Sequence, residues 1–217
     1  MKKILLFSFI FLYSFSQEAI QGTINHDNLE REYILYIPNS YTGNESVPLV
    51  LNLHGYTSNA GEQMIYSNLV EIADTENFLL VHPMGTTNEM NEPFWNSWQL
   101  EGVDDIGFLS SLIDYLGNEY NIDLSRVYST GFSNGGYMSY TLACQLSQKI
   151  AAIASVTGSM YTNQPLFCNP EHPIPVMQIH GTMDLTVPYI GSFNSESIDD
   201  IISYWVSFNE CSQNASF

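Results

Sequence analysis

Positive charge is almost absent from this chain. Its 217 residues carry five lysines and arginines against 23 aspartates and glutamates, a formal net charge of −18. Lys2 and Lys3 stand at the extreme N-terminus, so from residue 17 onward only Arg31, Arg126 and Lys149 are cationic and the charge is −20. A surface of that sign repels nucleic acid and anionic polysaccharide at long range and favours neutral substrates. Cysteine is scarce and odd in number: Cys144, Cys168 and Cys211. In an oxidising compartment an odd count leaves one thiol over. Beyond the first residues no segment is long and apolar enough to span a bilayer. No internal repeat or low-complexity tract is present. Histidine is sparse as well. His26, His54, His82, His172 and His180 are the full set, and all precede Asp184.

What is present begins with a leader. Lys2-Lys3 forms a basic n-region, Ile4 to Phe15 a short apolar h-region, and Ser14-Phe15-Ser16 a small-x-small cleavage site. A signal peptide is therefore expected over residues 1–16, with an exported protein starting near Gln17. Residues 17–217 are one domain's worth, long enough for a sizeable core.

Periodicity then sets the element order. Ala19 to Ile24 and Arg31 to Ile37 alternate apolar and polar residues around His26-Asp27-Asn28, which reads as an antiparallel hairpin. Val47 to Leu53, Phe78 to Val81, Arg126 to Thr130, Ala151 to Val156 and Val176 to Ile179 read as buried strands. Between them lie helical patterns. Ile65, Leu69, Ile72 and Ala73 form one. Ile106, Leu109, Ile113 and Leu116, capped by Asp104 or Asp105, form a second. Met138, Leu142 and Leu146 form a third, and Ile198, Ile201, Ile202, Trp205 and Phe208 a last. Thr86 to Gly102 is a polar, aromatic-rich loop. Strands alternating with helices imply an α/β fold, a mostly parallel sheet covered on both faces. Its active site belongs beyond the carboxyl ends of the strands.

Three segments map to that edge. Gly131-Phe132-Ser133-Asn134-Gly135 reads G-x-S-x-G between a strand and a helix, the pattern of a nucleophile elbow. The turn projects the Ser133 hydroxyl, and the small glycines let strand and helix approach closely. His54-Gly55-Tyr56 follows an earlier strand, so the backbone N–H groups of Tyr56 and Asn134 are the candidate oxyanion hole. His180-Gly181-Thr182-Met183-Asp184 follows the strand after the elbow. Chain order in this fold runs Ser, acid, His, which selects Asp184 as the acid that would orient an imidazole. Trp95 and Trp98 can stack on an aromatic acyl group or a sugar ring. Cys144 and Cys168 can pair, one on the helix after the serine and the other on a nearby loop.

These stretches resemble the secreted esterases of the poly(3-hydroxybutyrate) depolymerase and feruloyl esterase type, related to carbohydrate esterase family 1. The resemblance is carried by Arg31 to Pro38, Leu53-His54-Gly55, Val103 to Phe108, Arg126-Val127-Tyr128 with Gly131 to Met138, and Ile179 to Asp184 with Val187-Pro188-Tyr189. It implies an α/β-hydrolase and a serine esterase without metal or organic cofactor. Its partner is an ester substrate, a neutral polymer or its oligomers, with no nucleic acid and no membrane. One departure is serious: no histidine follows Asp184. In the family a cysteine at the place of Cys211 tends to have its partner in a C-terminal tail. The expectation is therefore a fragment lacking a last strand and its histidine loop, with an apolar sheet edge exposed and little activity.

Within the esterase reading, feruloyl or acetyl esters on plant polysaccharide compete with polyhydroxyalkanoate. Two other readings compete with it, a peptidase or lactone hydrolase on the same fold and a catalytically dead binding module for a neutral polymer. No metal site is expected. Asp104 and Asp105, with Glu89, Glu92 and Glu101, match no metal-binding loop, and helix capping accounts for the aspartate pair.

Overall fold

The computed structural model describes residues 19–98 and 102–212. The expected leader over 1–16, Glu101 and the last residues, 213–217, lie outside the described residues. In chain order the elements are β1 (Ala19–His26), β2 (Leu29–Tyr36), β3 (Val47–Leu53), α1 (Ala60–Ser67), α2 (Val70–Glu76) and β4 (Leu79–Pro83). A two-residue pair follows, β5 (Thr86–Thr87) and β6 (Pro93–Phe94), then α3 (Asp105–Glu119), β7 (Ile122–Phe132) and α4 (Asn134–Gln145). The fold closes with β8 (Ala152–Val156), β9 (Val176–Ile179) and α5 (Ile198–Phe208).

Seven strands form one sheet in the order β1-β2-β4-β3-β7-β8-β9. The β1–β2 hairpin is antiparallel, and β2 joins β4 antiparallel; from β4 to β9 every pairing is parallel. The hairpin turn is tighter than the sequence suggests. His26 still pairs with Leu29, so Asp27 and Asn28 alone make the turn, at φ +50° and +62°. That is the left-handed geometry that two-residue hairpins need, and Asp and Asn tolerate it best after glycine.

Helices α3, α4 and α5 cover one face. Leu49, Leu51, Leu53 and Val127 of the sheet pack there with Phe108, Leu109, Leu112 and Leu116 of α3, Met138 and Leu142 of α4, and Ile201 and Trp205 of α5. Each such fully buried side chain contributes about 1.5–3 kcal/mol of transfer free energy. On the other face α2 covers Tyr36 and Leu80 through Ala73 and Val70. Among the described residues this second face is only half covered. A trough of about 820 Å³ runs along β7, β8 and β9, lined by Tyr128, Phe132, Ala154, Val156, Met177 and Ile179. Met177 and Ile179 stand exposed on β9. Among the described residues this edge strand has a partner on one side only.

Three expectations need correction. The pattern through Ile65, Leu69, Ile72 and Ala73 is two helices, because Asn68 adopts φ +50° and ends α1. The break rephases the faces: Ile65 and Ile72 are exposed, whereas Ala60, Gln63 and Ala73 are buried. The stretch from Thr86 is not wholly irregular, since β5 and β6 pair within it. At α3 the two aspartates have separate roles. Asp104 is the N-cap, its Oδ1 accepting from Gly107 N–H at 2.8 Å, while Asp105 is the first helical residue and wholly buried.

Asp105 ties α3, β2 and the loop at Asn96 together. Its Oδ1 accepts from Arg31 Nη2 on β2 at 2.6 Å, and its Oδ2 accepts from Asn96 N–H at 2.7 Å. Arg31 lies 3% exposed, its guanidinium carbon 3.9 Å above the Phe108 ring centroid. Burial pushes the Asp105 carboxyl upward in pKa, and the Arg31 charge opposes this. Removing the carboxylate strands a buried cation. Asp105→Ala should therefore cost roughly 3–5 kcal/mol in urea denaturation, against about 1 kcal/mol for Asp104→Ala, which loses an exposed cap. Equal losses would show that the buried pair does not organise this region.

His82 on β4 is fully buried, and neither ring nitrogen has a partner. Burial alone pushes its pKa down to about 4. An unfolded histidine binds its proton near pH 6.5, so between 6.5 and 4 the unfolded state holds more protons. This part of the stability is complete above 6.5 and is lost as pH falls toward 4. At about 1.4 kcal/mol per unit the loss is roughly 3 kcal/mol. His82→Leu should flatten the acid limb of the stability-versus-pH curve by that amount; a parallel curve would refute the burial account.

Candidate active site

The elbow is a packing solution before it is a chemical one. β7 runs into α4 with Ser133 at the junction, at φ +52° and ψ −114°. A non-glycine residue there is strained, and such strain persists only where surroundings enforce it. The surroundings are backbone. A Cβ on Gly131 would sit 2.4 Å from Gly135, and one on Gly135 would sit 2.2 Å from Leu53 O. α4 therefore lies hard against the ends of β3 and β7. Ser133 N–H donates to Val156 O at 2.8 Å, and Ser133 O accepts from Tyr137 N–H at 3.0 Å, which fixes the turn between β8 and the helix. Ser133 is half-buried, and its hydroxyl has no hydrogen-bond partner among the described residues.

Two main-chain donors are left open just past the carboxyl ends of the paired strands β3 and β7. Among the described residues neither Tyr56 N–H nor Asn134 N–H has an acceptor. The flanking groups are tied down: Thr57 N–H donates to Pro93 O at 2.8 Å and Ser58 N–H to Gly55 O at 3.2 Å. Asn134 is the first residue of α4, where orphan N–H groups and the helix dipole favour negative charge. Its side chain is clamped twice by the 95–97 loop. Trp95 N–H donates to Asn134 Oδ1 at 2.7 Å, and Asn134 Nδ2 donates to Trp95 O and to Ser97 Oγ, each at 3.1 Å. The same loop hangs from Asp105 through Asn96 N–H. A chain of hydrogen bonds thus runs from the Arg31–Asp105 pair to the residue after the serine.

Trp95 has no face open to a substrate. It is wholly buried, donates Nε1–H to His54 O at 3.0 Å, and packs on the His54 ring. It is a loop anchor, which corrects the stacking role suggested for it. Trp98 is 44% exposed and lies on Tyr161, centroid to centroid 3.6 Å. Tyr161 in turn stacks on Tyr137 at 4.6 Å. This aromatic ladder climbs from the elbow helix to the surface. Tyr137 lies four residues past the serine, which was a readable signal; nothing in the sequence marked Tyr161 or Ser97.

Asp184 sits in the loop after β9. Its Oδ1 accepts from Thr186 N–H at 2.8 Å and Val187 N–H at 2.9 Å. The Val187 bond foremost, then Thr186 and the nearby His180, hold its carboxyl below the usual range. Val187 packs with Tyr137 and Tyr161, and the Asp184 charge helps raise the pKa of the buried Tyr137 phenol. The acid therefore borders the elbow helix.

Four of the five histidines are engaged by other groups, and His82 is enclosed without a partner. His54 is buried, with Nδ1 2.8 Å from Gly55 O and Nε2 accepting from Gly85 N–H at 2.9 Å. Desolvation lowers its pKa and keeps it neutral. His180 has Nε2 2.8 Å from Val187 O and Nδ1 2.9 Å from Gln178 Nε2, with Asp184 Oδ2 3.7 Å away. His172 lies against Pro173 O and Ser147 O. His26 faces Asp104 Oδ2 at 3.2 Å, and with Asp27 these ligand atoms lie within 4.8 Å of one another. None of the five bonds to Ser133. Three of the acidic residues weighed for a metal are engaged separately: Asp104 on a cap, Asp105 on Arg31, Glu92 on Tyr56 and Asn88. Cys144 and Cys168 form a disulfide, and Cys211 is free and exposed.

Residues 42–211 match the family described as phospholipase/carboxylesterase. A bifunctional acetylxylan esterase/xylanase of Neocallimastix patriciarum is 33% identical over 159 residues, 73% of this chain and 22% of that protein. Feruloyl esterase B of Piromyces equi is 28% identical over 167 residues, 76% of this chain and 31% of that protein. The chain thus spans less than a third of either relative's length. Among solved structures, a thermostable esterase superposes with a TM-score of 0.67 at 18% identity, over 88% of this chain and 52% of that one. That likeness shows the α/β-hydrolase fold. With the sheet order, the elbow and a match across most of its length, the chain belongs to the phospholipase/carboxylesterase family.

Proposed function

We propose that this chain carries the catalytic core of a secreted serine carboxylic ester hydrolase acting on feruloyl or acetyl esters of plant polysaccharide. The carrying observation is the strained Ser133 with two main-chain donors left open past the ends of β3 and β7. The printed activities of the two relatives, acetylxylan and feruloyl esterase, support the substrate class. So does the charge pattern. Arg31, Arg126 and Lys149 are each paired with an aspartate, so no described lysine or arginine is left to meet an anionic substrate.

The chemistry follows from the parts. Ser133 Oγ attacks the ester carbonyl carbon as its proton passes to a base. The carbonyl π electrons move onto oxygen, where Tyr56 and Asn134 N–H groups receive them. The tetrahedral species collapses, the alkoxide leaves with a proton, and an acyl-serine remains. Water then attacks that ester and restores Ser133. Asp184 would hold the base in its working tautomer. The base itself is missing from this arrangement: four histidines are hydrogen-bonded to other groups, and His82 is enclosed on β4 without a partner.

The 217-residue chain should therefore turn over slowly. Loss of the histidine of a serine hydrolase costs about as much as losing the triad, roughly 10⁶ in turnover. Donors and binding alone retain about 10³–10⁴ over water. With p-nitrophenyl acetate the chain should fall well below about 1 per second. Appending the C-terminal segment of one of the matched esterases should restore the rate; ordinary turnover by the unextended chain would refute the base assignment. A second reading is a dead module that binds a neutral polymer, because no histidine bonds to Ser133. Failure of every such extension to restore turnover would favour it. Polyhydroxyalkanoate as substrate, or peptide or lactone cleavage, would show as the preferred hydrolysis in a substrate panel.

A further inference from the structure

A second pocket of about 380 Å³ opens beside the disulfide. Its volume falls within the range of roughly 300–1,000 Å³ typical of small-molecule sites. Cys144 and Cys168 stiffen its floor. Three aromatic rings line it, the buried Tyr161 with Trp98 at 44% and Phe167 at 80% exposure. Gln145, Thr162, Asn163, Gln164 and Ser97 make the polar part of the wall.

The lining contains no charged residue, in a chain with 23 acidic ones. The side-chain amides of Gln145 and Asn163 have no partner among the described residues, although Asn163 N–H is held by Glu196 Oε1 at 2.7 Å. Thr162 Oγ1 donates to Phe193 O at 3.0 Å and keeps its lone pairs. The site thus offers aromatic faces together with neutral donors and acceptors. That combination suits an uncharged ring with alternating C–H faces and equatorial hydroxyls. It also leads to the nucleophile. Ser97 lines the pocket, bonds Tyr161, and accepts from the side chain of Asn134, the residue after Ser133.

We infer that this pocket is a subsite for a neutral sugar unit of the polysaccharide whose ester is presented to Ser133. The inference rests on the esterase reading for its orientation, but its test is independent of turnover. Trp98 stacks on the sugar face, Phe167 closes the far side, and the two amides bind hydroxyls.

The experiment is calorimetric titration of ester-free xylotetraose into the Ser133→Ala protein. Binding with a Kd of about 1 mM or tighter is expected. Adding Trp98→Ala should weaken it about tenfold, the worth of one aromatic platform. Gln145→Ala and Phe167→Ala change exposed side chains and leave the core intact; each should weaken it about threefold, some 0.6 kcal/mol. Absence of saturable binding overturns the inference, as does equal binding by all three variants. Displacement of xylotetraose by methyl ferulate would overturn the sugar assignment. Sugar binding by a chain that no extension renders hydrolytic would sink the esterase reading while upholding this pocket. Restored hydrolysis without sugar binding would do the reverse.

Discussion

The structure turns on one close approach. α4 lies so near the ends of β3 and β7 that only glycine fits at positions 131 and 135. That contact forces Ser133 into a left-handed backbone no serine would choose. The first N–H of the helix, on Asn134, and that of Tyr56, just past the end of β3, are both left without an acceptor among the described residues. The same helix buries Met138 and Leu142 in the main core. Function and fold therefore draw on the same few ångströms.

A second layer holds this junction from outside. The buried Arg31–Asp105 pair fixes the 95–97 loop, and the loop grips Asn134 by both ends of its amide. Burial of a charged pair is expensive, and hydrophobic replacements are often no less stable. What the pair supplies is position. It sets where the loop runs, and the loop holds the side chain of Asn134, the residue after the elbow serine.

Much of this was legible in the residues. Near-continuous apolar strands gave the parallel sheet, and glycine spacing gave the elbow. Other features left no local trace. The break at Asn68 depends on a single left-handed residue inside a plausible helical run. The roles of Asp104 and Asp105 differ because one faces water and the other Arg31, which lies 74 residues away. Trp95 and Trp98 look alike in sequence, yet loop direction buries the first and exposes the second. Tyr161 joins the aromatic ladder by tertiary contact alone. The scarcity of histidine was plain from composition; the coordinates add that each one is already engaged or enclosed.

The strain at residue 133 can be read in solution by comparing Ser133→Gly with Ser133→Ala in urea denaturation. Both remove the hydroxyl, so they differ only in backbone freedom. If the turn is held at positive φ, the glycine variant is the more stable by roughly 1–3 kcal/mol, beyond its own entropic handicap. An alanine variant as stable as the glycine one, or more so, would mean that residue 133 has an ordinary backbone, and the elbow on which this account rests would be wrong.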